Sequence, residues 1–403
     1  MKIDEKDMNN NKIAYILGDY PGKVQSFVLN EMTELKHMGF SIYACPINYI
    51  PANGKDRPEF DAIYAEPSNL PGIVLSHLFF ILSRPVQYLR CLLKYRFYGG
   101  KRVFVKSPYF ARVITKLGIR RVHSHFGWSA TDSARIISCL TGIPFSFTVH
   151  AADIYWLPDN LEAKLAEAEF VLTCVENNKK YITRNYGRLL GEKVQVVYHG
   201  VDIDAFSPRP DTAEKDFDVL CVGNFVKKKG HRYLVEACAI LKQMGVELEC
   251  LLLGEGPEKD NIVKMVKELG LENYVKFSGR RPRDELPAVY AESRIFVLPS
   301  IITESGDRDG IPNVLAEAMA IGLPVISSNV PNISELIEHD NDGILVKQKD
   351  AAALAGAIEE LLSNRTKSAE LGRNARKKVE KAFDSKKHIQ KISRIFRQEE
   401  HWT

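Results

Sequence analysis

The residues best suited to do chemistry are two carboxylates, Asp309 and Glu317, that bracket a short predicted helix. A Gly-Ile-Pro turn at 310–312 follows the first acid, and Pro312 is predicted at the first helical position, where its missing N–H costs nothing. The free N–H groups of this helix start would bind an anion, with Glu317 about two turns in. The pattern favours a phosphate flanked by hydroxyl-bearing sugars. The alternative is that both acids only complement the helix dipole.

The length and composition of the chain predict a soluble globular protein with two domains. The 403 residues exceed one ordinary core, and 45% hydrophobic with 26% charged residues is typical of globular chains. A net charge of +4 does not predict nucleic-acid binding. The seven cysteines form no Cys-x-x-Cys pair, which indicates buried thiols in a reducing compartment and no structural zinc. The polar N-terminus does not resemble a secretory signal, so we expect a cytoplasmic protein.

Short apolar runs separated by helical segments predict a first α/β unit. Residues 12–18 are typical of a buried strand that ends at Gly18, and 25–38 have helical periodicity. Further strands are predicted at 41–45, 121–125, 145–149, 170–174 and 194–198. This alternation indicates a doubly wound parallel sheet.

The same pattern restarts after residue 216 and predicts a second α/β unit. A helix is predicted at 233–244, and strands are predicted at 217–223, 248–253, 275–277, 295–298 and 325–327. We place the boundary in the proline-containing stretch 204–216, which gives domains 1–206 and 207–380 and a final segment 381–403. Ligands of such sheets bind at the carboxyl ends of strands, although glycine turns there also occur for packing alone.

Ordered motifs run through the second half. They are Val197-Tyr198-His199-Gly200-Val201-Asp202, the loop 222–231, and the stretches 253–257, 277–279, 297–300, 309–320, 322–325 and 335–337. In this order they resemble the nucleotide-sugar glycosyltransferases of family 4, which have the GT-B fold of two facing Rossmann-like domains. The first half matches less tightly, through 20–21, 25–28, 125–126 and 147–153.

The resemblance implies a retaining enzyme that takes a sugar from a nucleoside diphosphate. It implies that Lys229 contacts the phosphates, with a solvated lysine of a basic run as the alternative. By resemblance Asp309 faces the donor-sugar hydroxyls, and Glu317 accepts hydrogen bonds from the ribose. The further donor-binding positions that it implies are Gly18, Asn224, Arg280, Gly310, Ile311, Pro312 and Asn313.

Two positions depart from the family pattern. Asn224 stands where relatives usually carry an arginine, and it supplies no charge. Lys228, Arg280 or the backbone of 310–311 would have to compensate. Asp309 is one methylene shorter than the usual glutamate. The stretch 303–308 is typical of an inserted loop that closes over the donor.

The first half contributes histidines. The resemblance implies that His150, at the end of a strand, touches the donor sugar; a hydrogen-bonded structural histidine is the alternative. Asp153 either orients that imidazole or caps the next helix. Tyr20 and His125 are implied to bind the acceptor or support the site. His123 and His125 face the same side of one strand, but we predict no metal, because GT-B enzymes manage the diphosphate with basic residues and helix dipoles.

The stretch 73–102 is the candidate membrane surface. Residues 73–82 are apolar but too short to span a bilayer. Residues 86–98, with Arg90, Lys94 and Arg96 among leucines, predict a basic amphipathic helix that lies on an anionic membrane or packs on the sheet. The basic stretch 374–397 is predicted to be helical, and by resemblance the last helix crosses back to the first domain.

The residues together with the resemblance therefore predict a glycosyltransferase that uses a nucleotide sugar such as a UDP- or GDP-sugar, and the resemblance implies that it is retaining. The expected acceptor is a glycan, lipid-linked at the inner membrane face, in exopolysaccharide, O-antigen or capsule synthesis. Two alternatives stay open: transfer to a small soluble acceptor such as a metabolite or antibiotic core, and a non-catalytic relative that binds a nucleotide or glycan.

Overall fold

The structure is a computed structural model that describes residues 11–22, 24–51, 60–96, 100–208 and 215–397. The chain forms two compact units. The first comprises Met1–Cys174, Asn178–Val197 and Ile389–Thr403, and the second comprises Val175–Asn177 and Tyr198–His388. The predicted boundaries after residues 206 and 380 lie close to these divisions and stay predictions. Residues 209–214 of the predicted linker lie outside the described residues.

The helices and strands follow in chain order. The strands are β1 Lys12–Pro21, β2 Ser41–Ile50, β3 Asp61–Ala62, β4 Arg121–His125, β5 Phe145–Val149, β6 Val171–Thr173, β7 Val194–Val196, β8 Phe217–Val222, β9 Cys250–Leu253, β10 Val275–Ser278, β11 Ser293–Leu298, β12 Val325–Ser328 and β13 Ile344–Val346. The α-helices are α1 Ser26–His37, α2 Leu70–Ser83, α3 Pro85–Tyr95, α4 Lys101–Lys116, α5 Ser129–Thr141, α6 Leu161–Glu167, α7 Glu176–Tyr186, α8 Arg188–Glu192, α9 His231–Gln243, α10 Lys259–Glu268, α11 Leu286–Ala291, α12 Asn313–Ile321, α13 Ala351–Ser363, α14 Arg365–Ala382 and α15 Ser385–Arg397.

The first unit is built on a parallel sheet in the order β3-β2-β1-β4-β5-β6-β7. Strands β4 and β5 have the predicted bounds. The prediction that β1 ends at Gly18 is wrong, because Tyr20 and Pro21 still pair with Tyr49 and Ile50 of β2. The order reverses between β1 and β4, which is where doubly wound sheets bind ligands.

Both faces of the first sheet are covered. Ala14 and Ile16 of β1 pack into one apolar cluster, and Ile13 and Tyr15 pack into the other, as side chains alternate along a strand. The C-terminal end of α15 belongs to this second cluster, where Phe396 is buried. The stretch 374–397 is helical as predicted, in two helices, because α14 ends at Ala382 and α15 begins at Ser385.

The second unit is built on a parallel sheet in the order β10-β9-β8-β11-β12-β13. Its reversal lies between β8 and β11, so the loops after these two strands meet at one edge of the sheet. Gly230 lies immediately before α9, in the left-handed region at φ +71, and an added Cβ would collide with the carbonyl oxygen of Pro299 beyond β11. Only glycine allows this approach. The predicted fold class, two parallel-sheet α/β domains, is confirmed.

Helices α2 and α3 occupy the candidate membrane stretch. Within the described ranges, no helix is by itself both long and apolar enough to cross a bilayer. Taken together, α2 and α3 meet that requirement of length and composition, but they are bent by 119° at their junction. The predicted amphipathic helix over 86–98 is α3, which ends at Tyr95, and residues 97–99 lie outside the described residues.

Candidate functional site

A buried lysine–aspartate pair lies at the sheet edge of the second unit. Lys229 ends a single helical turn between β8 and α9, and its Nζ lies 3.0 Å from Asp309 Oδ2. Only 15% and 9% of the two side chains are exposed. Ser300 Oγ donates to the same Oδ2 at 2.8 Å, and Asn332 Nδ2 donates to the Asp309 carbonyl at 2.9 Å. These contacts hold the Asp309 carboxylate beside the Lys229 cation. They bring together two motifs that lie 80 residues apart in the chain.

Helix α12 begins next to this pair. Pro312 is the residue that precedes the helix, with φ −66 and ψ 121, and its carbonyl accepts from the N–H of Leu315 at 3.0 Å. The prediction that Pro312 is the first helical residue is wrong by one position, because its extended ψ already supplies the cap. Asn313 is first instead, which puts Glu317 little more than one turn in. Gly310 and Ile311, half-buried, lead into the helix.

Glu317 is held by a buried tyrosine that the sequence did not reveal. The hydroxyl of Tyr290 lies 3.1 Å from Glu317 Oε2 and 3.2 Å from the Val314 carbonyl, and its one proton serves either acceptor. Burial raises the pKa of Glu317, while the charge of Arg283 and the tyrosine hydrogen bond lower it, and the net shift is upward. The carboxylate is thus kept with one oxygen engaged.

The cation whose charge acts on Glu317 is Arg283, which the sequence did not single out. Its charge lowers the pKa of both Glu317 and Tyr290 against the effect of burial. Arg280 and Arg283 are both exposed, and the predicted contact of Arg280 with the donor stays a prediction. The basic run at 280–283 was the signal in the sequence, but spacing alone did not tell which of its arginines faces the carboxylate.

The loop after β8 carries the position of the missing arginine and one of the candidates to compensate for it. Asn224 is exposed, and its carbonyl accepts from the N–H of Val226 at 2.8 Å. Lys228, the candidate, forms an ion pair with Asp307 at 2.9 Å, and its contact with the phosphates stays a prediction. Because Thr303 and Asp307 are joined by a backbone hydrogen bond of 3.0 Å, this ion pair ties the loop 303–308 to the β8 loop. Its closure over a donor stays a prediction.

His231 is a further residue at this site that the sequence did not single out. Its ring stacks on Phe225 with centroids 4.3 Å apart, and it is 3% exposed. Burial and, to a smaller extent, the charge of Lys229 lower its pKa to about 4, while Asp309 opposes the shift. Its Nε2 has no hydrogen-bond partner in the described part of the chain. The imidazole is therefore neutral at physiological pH.

The first unit gathers its own cluster at the end of β5. His150 is 8% exposed, and its ring lies 4.4 Å from that of Phe126 and stacks 5.8 Å from that of His125. Asp153 Oδ2 accepts from the backbone N–H of His150 at 2.8 Å. Asp153 is predicted either to orient the His150 imidazole or to cap the next helix. This contact does neither, because the Asp153 carboxylate holds the backbone at the end of β5. Burial raises the pKa of Asp153 to about 7, although hydrogen bonds from His150 and Gly127 lower it.

Behind His150 lies a buried network centred on Glu31, which the sequence did not reveal. Glu31 Oε1 accepts from the Tyr15 hydroxyl at 2.7 Å and lies 3.1 Å from His125 Nε2. Burial alone would raise the pKa of Glu31, but His125, then His123, and the Tyr15 hydroxyl lower it to about 2. This side chain is therefore an anion at any physiological pH.

The same network has the residue types of a metal site but the bonding of a hydrogen-bonded cluster. Glu31, His123 and His125 place possible ligand atoms within 4.8 Å of one another. Both ring nitrogens of His123 are engaged, however, with Ser146 Oγ at 2.9 Å and Thr148 Oγ1 at 3.1 Å. Burial lowers the pKa of His123 to about 3, so the ring is neutral between two hydroxyls.

Two predicted residues of the first unit lie along β1. Gly18 lies in the strand interior, with open space where a Cβ would be. Tyr20 is 1% exposed, burial raises its pKa, and its hydroxyl has no hydrogen-bond partner among the residues that the structure describes. A buried hydroxyl of this kind is suited to bind a ligand.

Two doubly wound α/β units in one chain are the architecture of the GT-B class. A solved structure shares the fold over nearly the whole chain: HepE of Anabaena, in complex with UDP, has a TM-score of 0.71 at 19% identity and covers 96% of this chain and 100% of its own. The family model "Glycosyltransferase Family 4" matches residues 29–205, and "Glycosyl transferases group 1" matches 202–378. The predicted resemblance to the family 4 glycosyltransferases is therefore confirmed.

Two curated relatives are named for the biosynthesis of colanic acid and of amylovoran. The putative colanic acid biosynthesis glycosyltransferase WcaL of Escherichia coli K12 is 37% identical over 195 residues, which is 48% of each chain. The amylovoran biosynthesis glycosyltransferase AmsK of Erwinia amylovora is 37% identical over 194 residues, again 48% of each. The chain thus spans about half the length of these curated relatives.

Proposed function

We propose that this protein is a retaining glycosyltransferase that moves a sugar from a nucleoside-diphosphate sugar to a glycan acceptor, lipid-linked, in exopolysaccharide synthesis. The observation that carries the proposal is the ion pair of Lys229 and Asp309 beside the start of α12. It supplies a cation and free helix N–H groups for a diphosphate, with a carboxylate in place for sugar hydroxyls. The names of WcaL and AmsK, and the UDP bound to HepE, support the same chemistry.

Each side chain of the second unit has a separate task in this proposal. Lys229 and the N–H groups at 310–311 stabilise the charge that develops on the leaving diphosphate. Asp309 hydrogen-bonds the donor-sugar hydroxyls. Glu317 accepts from the ribose hydroxyls with Oε1, because Oε2 is engaged with Tyr290. We propose no metal cofactor, since the positive charge comes from Lys229 and the helix start.

The remaining roles follow from the family resemblance. His150 contacts the donor sugar, and Asp153 holds its backbone in place. Tyr20 and His125 serve the acceptor or support that site. The anomeric configuration is retained through attack by the acceptor on the face that the diphosphate leaves. Asp309 is assigned to binding sugar hydroxyls rather than to forming a covalent intermediate.

A thermal-shift panel tests the donor site. Nucleoside diphosphates and nucleotide sugars should raise the unfolding temperature of the wild type, because a ligand that binds only the folded state stabilises it by mass action. Lys229→Ala should abolish that rise. The matched control is Lys227→Ala, which removes an exposed lysine of the same turn and should leave the rise unchanged. Equal rises in all three proteins would contradict the assignment.

Two measurements separate the alternatives. Release of nucleoside diphosphate from a nucleotide sugar without acceptor would exclude a non-catalytic binding relative. Transfer to water-soluble sugars as fast as to a polyprenyl-linked glycan would favour a small soluble acceptor. The proposal predicts donor hydrolysis and a strong preference for the lipid-linked glycan.

A further inference from the structure

Helices α2 and α3 expose a concentrated set of large apolar side chains. In the described part of the chain, 17 large apolar residues are exposed, and ten of them lie on these two helices. The ten are Leu70, Val74, Leu75, Leu78, Phe79, Ile81, Leu82, Val86, Leu89 and Leu93. Single exposed leucines are ordinary, but a concentration of this kind marks an interaction surface. We call these ten residues the apolar face.

The apolar face belongs to well-packed helices. The opposite sides of α2 and α3 are buried, with Phe80 at 2% and Tyr95 at 3% exposure. His77 joins the two helices and the next one, through Nδ1 to the Tyr88 hydroxyl at 2.7 Å and Nε2 to the Val105 carbonyl at 3.0 Å. The exposed side chains are therefore held in place on a folded surface.

Most of the charge around the apolar face is positive, although Lys94 is paired with Glu167 at 2.8 Å. Residues 67–131 contain 11 lysines and arginines and no aspartate or glutamate, whereas the composition of the whole chain, 51 acids in 403 residues, would place about eight there. Arg90 and Arg112 are exposed, and the Arg112 guanidinium lies 5.4 Å from the ring of Phe79. A shallow groove of about 570 Å³ along α3 is lined by Val86, Leu89, Leu93, Arg90 and Lys94. Apolar surface and positive charge thus occur together.

We propose that the apolar face docks on an anionic phospholipid surface, with its leucines among the acyl chains and its arginines at the headgroups. Amphipathic helices with basic residues bind anionic membranes in this way. The 14 residues of α2 are about 21 Å long, less than the roughly 30 Å hydrocarbon core, so the helix inserts without crossing. Docking of a second copy is disfavoured, because a symmetric interface would bring this mainly basic surface against itself. The inference goes beyond the proposed function and does not depend on it.

Vesicle sedimentation of the full chain tests the proposal. The protein should bind phosphatidylglycerol vesicles, and not phosphatidylcholine vesicles, at 0.1 M salt. Leu75→Gln/Leu82→Gln should weaken binding about tenfold or more. Arg90→Gln/Arg112→Gln should weaken it roughly fivefold for each charge, and added salt should mimic that loss. The matched control is Leu189→Gln, since Leu189 is 80% exposed and Leu82 is 81% exposed; it should bind as the wild type.

Other results would overturn the proposal. These are no binding by the wild type, equal binding to both lipids, or an equal loss in Leu189→Gln. Self-association in sedimentation velocity that Leu75→Gln/Leu82→Gln removes, without vesicle binding, would assign the face to a second copy. All changed residues are exposed, so thermal unfolding should match the wild type in every variant. Donor hydrolysis by the same proteins reports the proposed function separately.

Discussion

Removing the charge of Lys229 should weaken diphosphate binding, and removing the charge of Asp309 should strengthen it. Lys229→Met removes the cation that meets the phosphates, and Asp309→Asn removes the anion that now neutralises that cation at 3.0 Å. The fold should tolerate the second change, because the Ser300 hydroxyl can donate to an asparagine oxygen as it does to Asp309. A purely structural ion pair would make both variants lose binding together.

The expected magnitudes follow from the burial of the pair. With 15% and 9% of the side chains exposed, a hydrogen bond from Lys229 to phosphate is charge-assisted and partly desolvated. Its loss costs about 1.5–3 kcal/mol, which is roughly 10- to 150-fold in Kd. Asp309→Asn removes repulsion of the phosphates and frees Lys229, so it should tighten binding by about 1–2 kcal/mol, or roughly 5- to 30-fold.

Isothermal titration with UDP and with GDP measures both effects. The control is Asp307→Asn, which removes the same charge two residues away, where it pairs with Lys228; it should change Kd less than twofold. Turnover should fall in both site variants, although only one loses affinity. A Kd of Lys229→Met within twofold of wild type, or weaker binding by Asp309→Asn, would refute the reasoning.

The remaining predictions concern stability. Glu317→Gln should raise the unfolding temperature at pH 7.5 and lose that gain at pH 4. The pKa of Glu317 is raised in the folded state, so its buried charge destabilises the fold only above the pKa that the carboxyl group has in the unfolded chain. A series of melts at different pH values without this trend would contradict the reasoning. Glu31→Gln should lower the free energy of unfolding by about 3 kcal/mol at pH 7, because folding lowers the pKa of Glu31 from 4.5 to about 2. That stability is present above pH 4.5 and is lost as the pH falls through 2. A urea titration with an unchanged midpoint at pH 7 would contradict this prediction. Gly230→Ala should lower the free energy of unfolding by about 2 kcal/mol or more. The control Gly245→Ala, at φ +77 with open space around it, should lower it by about 1 kcal/mol. Equal losses in chemical denaturation would exclude the collision.

Strand positions and motif residues were predictable because their signals are local. Strands β4 and β5 follow from alternating patterns of five residues, and the lysine and aspartate of the site follow from motifs of known order. The ends of α12 and β1 were not predictable to the residue, because pairing and cap geometry decide them. Pro312 shows this, since it suits the cap as well as the first turn.

Long-range partners could not be read from the chain. Glu31 lies among helical residues that look solvent-facing, yet it meets Tyr15 and His125, which are 16 and 94 residues away. Tyr290 reaches Glu317 over 27 residues. Spacing along a sequence fixes neighbours within one helix or strand, but the sheet order decides which loops meet. The buried supporting residues of the site therefore appear only in the structure.

The central claim is that the second unit binds a nucleotide sugar for transfer, with Lys229 and Asp309 at the reacting group. The most direct measurement is the rate of nucleoside diphosphate release from UDP- and GDP-sugars by the wild type, Asp309→Ala and Lys229→Ala, with and without a lipid-linked glycan. The account predicts release by the wild type that the acceptor accelerates, and a loss of about 100-fold or more in each variant. Wild-type rates in either variant would contradict it.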